Sequence, residues 1–137
     1  MKRWILLLPL LPLLAGCLQD AASYSLGERD QAITLMRNKT WFWKDTVDVE
    51  VIIARMPDCN GGGSIKEVEQ ASAMTLYRAP DEYPEPLFLL KTSAGVYAVS
   101  AQSCRMQKFP EAPADLGQKL GAFKEVDGKF RFVEAGA

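Results

Sequence analysis

Two clusters in this 137-residue chain have residue types and spacing that chemistry could use. Asp48 and Glu50 lie two positions apart in a run of alternating apolar and charged residues, so on a strand their carboxyl groups face the same side. Two carboxyl groups at a suitable separation are what a glycosidase requires for acid and base work. The competing reading is the charged outer face of an amphipathic strand. It is favoured, because nothing in the sequence marks either acid as buried, and burial is what tunes a carboxyl pKa. Just upstream, Trp41-Phe42-Trp43 is the densest aromatic cluster. On a strand Trp41 and Trp43 would project together and could stack on sugar rings or anchor a partner protein. Large aromatics more often fill the interior, so a core position is expected for both.

What the chain lacks narrows the chemistry further. It has no histidine, which removes Ser-His-Asp and Cys-His catalysis and haem attachment through Cys-x-x-Cys-His. The few cysteines cannot make a conventional zinc site without imidazole. Asp81, Glu82 and Glu85 carry oxygen ligands suited to calcium but not the spacing or the glycine turn of an EF-hand, and read as a solvated loop. Gly61-Gly62-Gly63 lacks the spacing and the following lysine of a phosphate-binding loop, and reads as a turn. No catalytic residue, metal or cofactor is therefore expected. With 16 basic and 17 acidic residues, interspersed, the chain offers no electrostatic footprint for nucleic acid.

The amino terminus has its own order. Lys2 and Arg3 precede an apolar run from Trp4 to Leu14, broken by Pro9 and Pro12 and too short for a bilayer crossing, which needs about 20 residues. It ends in Leu14-Ala15-Gly16-Cys17. This arrangement resembles the lipobox signal peptide of bacterial lipoproteins. The resemblance covers only the first eighteen or so residues. It implies diacylglyceryl transfer to the Cys17 sulfur, cleavage between Gly16 and Cys17, and acylation of the new amine. Leu18 stands where an aspartate would favour inner-membrane retention, so the outer membrane, facing the periplasm, is the implied address. The mature chain then keeps 14 basic and 17 acidic residues, a net charge of −3. With Cys17 acylated, Cys59 and Cys104 remain as an even pair in an oxidising compartment, and a disulfide between them is expected in preference to two separate buried thiols.

The elements that would position these residues are mostly strands. Residues 18–27 are polar and small and read as a tether, so the expected organisation is a signal peptide at 1–16, a lipidated tether at 17–29 and one domain at 30–137. Ile33 and Leu35 have strand spacing, with a short helix from Asp30 as the alternative. Thr46–Arg55 is the clearest strand, with Val47, Val49, Val51 and Ile53 on one face. Residues 57–63 read as a turn or loop. Ser64-Ile65-Lys66-Glu67 matches a helix capping box, yet residues 64–72 read equally as strand. Residues 73–78 read as strand, and the prolines of 79–86 as an exposed connection. Residues 87–92 and 96–105 form strands about Ser93-Ala94-Gly95, and residues 118–126 and 129–133 flank the hairpin signature Asp127-Gly128, with Phe130 and Phe132 on one face.

The expected fold is mainly β, an antiparallel meander closing into a small barrel or sandwich with at most one short helix. The expected function is that of a non-catalytic envelope lipoprotein with a protein partner, in contact with the membrane through its anchor. The alternative is a periplasmic inhibitor or glycan binder. Ser93-Ala94-Gly95-Val96-Tyr97 resembles in part the Ser/Gly-rich loop of periplasmic lysozyme inhibitors and departs from it at several positions.

Overall fold

Alternating apolar residues dominate the chain, and strands follow from them. A computed structural model describes residues 18–39 and 41–136; the expected signal peptide and its acceptor Cys17 lie outside the described residues. The strands are β1 (Gln19–Ser25), β2 (Gln31–Asn38), β3 (Thr46–Arg55), β4 (Cys59–Glu69), β5 (Met74–Arg78), β6 (Leu87–Thr92), β7 (Gly95–Ser100), β8 (Met106–Lys108), β9 (Gln118–Val126) and β10 (Lys129–Glu134). One sheet has the order β1-β2-β3-β4 and the other β10-β9-β5-β6-β7-β8, and each neighbouring pair is antiparallel. The sheets pack face to face as a sandwich and do not close into a barrel. No helix occurs among the described residues, so residues 31–37 and 64–69 are strand.

The core lies between the sheets. Val47, Val49, Val51 and Ile53 of β3 are all at most 2% exposed and meet Ile33, Leu35, Met74, Leu76, Leu90 and Phe123. A strand shows one face to the core every second residue, and this run fills each such position with a branched apolar side chain. At the other sheet, Phe123 takes Phe130 and Phe132 within 6.3 and 4.9 Å of its ring centre.

Three expectations need correction. Residues 19–25 are not a tether: β1 pairs with β2 along its whole length, from Gln19 opposite Asn38 to Ser25 opposite Ala32. Its inward positions are Asp20, Ala22 and Tyr24, an alternation made largely of small and polar residues. Gly61-Gly62-Gly63 is not a loop but the middle of β4. A Cβ on Gly61 would fall 2.2 Å from the Cys104 carbonyl oxygen, and one on Gly62 would fall 1.8 Å from that of Val51, so only bare backbone fits there. Finally, the expected strand at 96–105 stops at Ser100, whose Oγ accepts the amides of Gln102 and Ser103 and turns the chain.

A disulfide and a buried arginine tie the sheets together at opposite ends. The Cys59–Cys104 disulfide links the start of β4 to the turn after β7, with Cα atoms 5.9 Å apart. At the other end Arg37 of β2, only 2% exposed, donates from Nε and Nη2 to the two carboxylate oxygens of Asp20 at 2.8 and 2.7 Å. Its Nη2 also donates to Glu125 of β9 at 2.9 Å, and its guanidinium lies 4.1 Å from the centre of the Phe130 ring. Burial works against the Arg37 charge, and the hydrogen bonds and charges of Asp20 and Glu125 outweigh it, so its pKa stands above the ordinary arginine value.

Candidate aromatic contact site

The pairing of β2 with β3 runs out at Asn38 opposite Asp48, and the chain between them turns beyond the end of the sheet. The Lys44 amide closes a tight turn by donating to the Trp41 carbonyl at 3.1 Å, leaving Phe42 and Trp43 at its apex. Trp41, Phe42 and Trp43 are 49%, 74% and 65% exposed. Trp41 stacks on Trp43 with ring centres 4.9 Å apart, and Phe42 meets Trp43 edge-on at 5.1 Å. The expectation that these rings fill the core is therefore wrong. Val47 and Val68, paired where β3 meets β4, are buried in the core without them, and the three rings contact one another outside it. The polar residues on both sides, Asn38 and Lys39 before and Lys44 and Asp45 after, are the signal of a hairpin tip that sequence reasoning did not weigh.

Beside the tip lies a cleft of about 300 Å³ lined by Asn38, Trp41, Lys44, Asp48, Lys66 and Glu67. Asp48 is the first of the two candidate carboxylates, and its oxygens are engaged. Oδ1 accepts the Glu67 amide at 3.2 Å, and Oδ2 lies 3.5 Å from the Lys66 ammonium. Glu67 has a φ of 56°, where the register between β3 and β4 shifts, so Asp48 steadies a bulge. Glu50, the second candidate, is exposed on the outer face of β3. The acids thus support the strand's solvent side, while the cleft sets one indole beside amide, ammonium and carboxylate groups, a lining that could take a polar ligand.

The other candidates lie elsewhere. Ser93 and Ala94 form a tight turn in which Thr92 Oγ1 donates to the Gly95 carbonyl and accepts the Ala94 amide, and Ser93 Oγ accepts the Glu69 amide at 2.8 Å. Of the segment resembling an inhibitory loop, Ser93 is exposed and Ala94 and Gly95 half-buried, while Val96 and Tyr97 of β7 are 5% and 8% exposed. Burial raises the Tyr97 pKa. Asp81 and Glu85 line a shallow cleft among the prolines of residues 79–86, at the far end of the sandwich. Among the described residues no group of three His, Cys, Asp or Glu side chains is placed to hold a metal ion.

Sequence reasoning missed three residues that matter here. Leu18 donates no side chain to the site, yet its carbonyl accepts the Lys39 amide at 2.9 Å and so brings the start of β1 to the base of the aromatic tip. Phe42, though part of the aromatic run, is left out of the expected contact pair because a strand reading points it away from Trp41 and Trp43. Arg37 looks like any surface cation in a sequence. Comparison with known proteins finds no family model, no curated relative and no solved structure that matches the chain.

Proposed function

We propose that this protein is a non-catalytic cell-envelope lipoprotein, held in the outer membrane by acyl chains on Cys17, facing the periplasm and acting as an accessory to another envelope protein. The observation that carries this reading is the exposed aromatic tip. Three large rings kept out of the core make a contact surface, whereas the candidate carboxylates are engaged in a bulge or open to solvent. The lipobox-like residues at 14–17 supply the address, and the Cys59–Cys104 bridge suits an oxidising compartment. Crosslinking in intact cells followed by mass spectrometry is the test. A recurrent envelope-protein neighbour is the expected result, and recovery of no neighbour beyond those of an unrelated lipoprotein would refute the accessory role.

The cleft beside Trp41 favours a second reading, binding of a glycan or of a glycan-cleaving enzyme, because an indole bordered by amide and charged groups suits a sugar ring. Inhibition of lysozyme by micromolar protein, or quenching of indole emission by peptidoglycan fragments, is its signature. Neither effect at that concentration retires it.

A further inference from the structure

Which envelope component the aromatic tip meets follows from where the chain enters the fold. We infer that Trp41, Phe42 and Trp43 insert into the interfacial layer of the bilayer, so that the domain touches its membrane at two points and stands in one orientation. The inference rests on the proposed acylation of Cys17.

Only Leu18 separates Cys17 from the first residue of β1, a span of at most about 7 Å. Gln19 lies opposite Asn38, and the Leu18 carbonyl accepts the Lys39 amide, so the anchored start of β1 and the base of the tip are side by side. β1 cannot pay out as slack, because Asp20 is held bidentately by Arg37, itself bonded to Glu125 in the second sheet. The anchor therefore draws this end of the sandwich against the lipid.

The tip is long enough to enter. Trp41, where the turn begins, lies three residues past Asn38, a reach of at most about 10 Å. One headgroup layer is about 5–8 Å deep. Tryptophan is the side chain most suited to that depth, with an apolar body and a polar N–H, and here two indoles and a phenyl ring are presented together. Charge contributes little. Lys39 and Lys44 share one cleft with Asp45 and Glu125, two charges of each sign, so insertion is aromatic and insensitive to salt. The opposite end, with the disulfide and residues 79–86, then faces the periplasm.

Indole fluorescence tests this directly. Trp4 leaves with the signal peptide, so Trp41 and Trp43 are the only indoles of the processed chain. The lipidated protein is reconstituted into vesicles of phosphatidylethanolamine and phosphatidylglycerol, plain or brominated on the acyl chains, which start at the depth of about 5–10 Å where interfacial side chains sit. Bromination is expected to reduce emission about twofold, equally at low and molar salt, while aqueous acrylamide has little effect. Emission quenched by acrylamide and untouched by bromine would overturn the inference, leaving the tip in water or free for a protein. Labelled palmitate on the same preparation separates the two readings. Unlabelled protein removes the anchor and this inference with it, whereas labelled protein with unquenched bromine response removes the seating alone.

Discussion

Arg37 is a cation in a place where water cannot serve it, and its partners decide what it contributes. Removing one member of a buried pair costs about 3–5 kcal/mol. The side chains of Asp20 and Glu125 keep 28% and 40% of their surface in water, so solvent compensates part of the loss. Arg37→Ala is expected to lower stability by about 2 kcal/mol, and Glu125→Ala by about 0.5 kcal/mol, read from urea midpoints. Equal midpoints in the two variants would contradict this ranking. Tyr97 gives a pH dependence with a definite sign. Its folded pKa lies above the unfolded value of about 10, so the unfolded chain loses its proton first and stability falls as pH rises above that value. Tyr97→Phe should flatten the alkaline limb of a stability profile, and an unchanged limb would assign that loss to other groups. Neither residue was legible in the sequence, since burial of a charge or a phenol depends on a partner strand dozens of positions away. Asp48 and Glu50, by contrast, were read correctly as the outer side of β3, because alternation alone places them.

Among elements, β3 and the β9–β10 hairpin were the most legible, the first from four branched residues at every second position and the second from Asp127-Gly128, both with positive φ. β4 was not. Its glycines signal a loop until the neighbouring backbone is known, and then they become the residues that let Cys104 and Val51 approach. Gly62→Ala should cost about 3 kcal/mol, because its Cβ meets the Val51 carbonyl at a φ of 139°. Gly63→Ala should cost about 1 kcal/mol, since it displaces only the mobile end of Met106. Thermal melts that rank the two in reverse would show that β4 tolerates a side chain where the register appears closed. The disulfide spans 45 positions, for which loop-closure entropy gives about 4 kcal/mol. Cys59→Ser with Cys104→Ser should lower stability by about that amount, and a loss under about 1 kcal/mol would mean that strand pairing already confines the reduced chain.

At the scale of the molecule, the mainly β class was legible and the choice between barrel and sandwich was not, because both use the same strands and differ only in whether sheet edges meet. The tether was misread for a related reason: β1 gains its place from pairing and from Arg37, which a run of small residues does not advertise. The aromatic tip was misread because rings usually go inside, whereas here they sit on a turn beyond the end of the sheet. One consequence is that Trp41→Ala with Trp43→Ala should leave stability within about 0.5 kcal/mol of the parent, as expected for exposed side chains. A large loss would return those rings to a structural role. Lipid attachment is the premise on which address, orientation and partner all depend. Metabolic labelling with palmitate in the native host tests it most directly: label should enter the wild-type chain and be absent from Cys17→Ser, whereas equal labelling of both, or of neither, would contradict it.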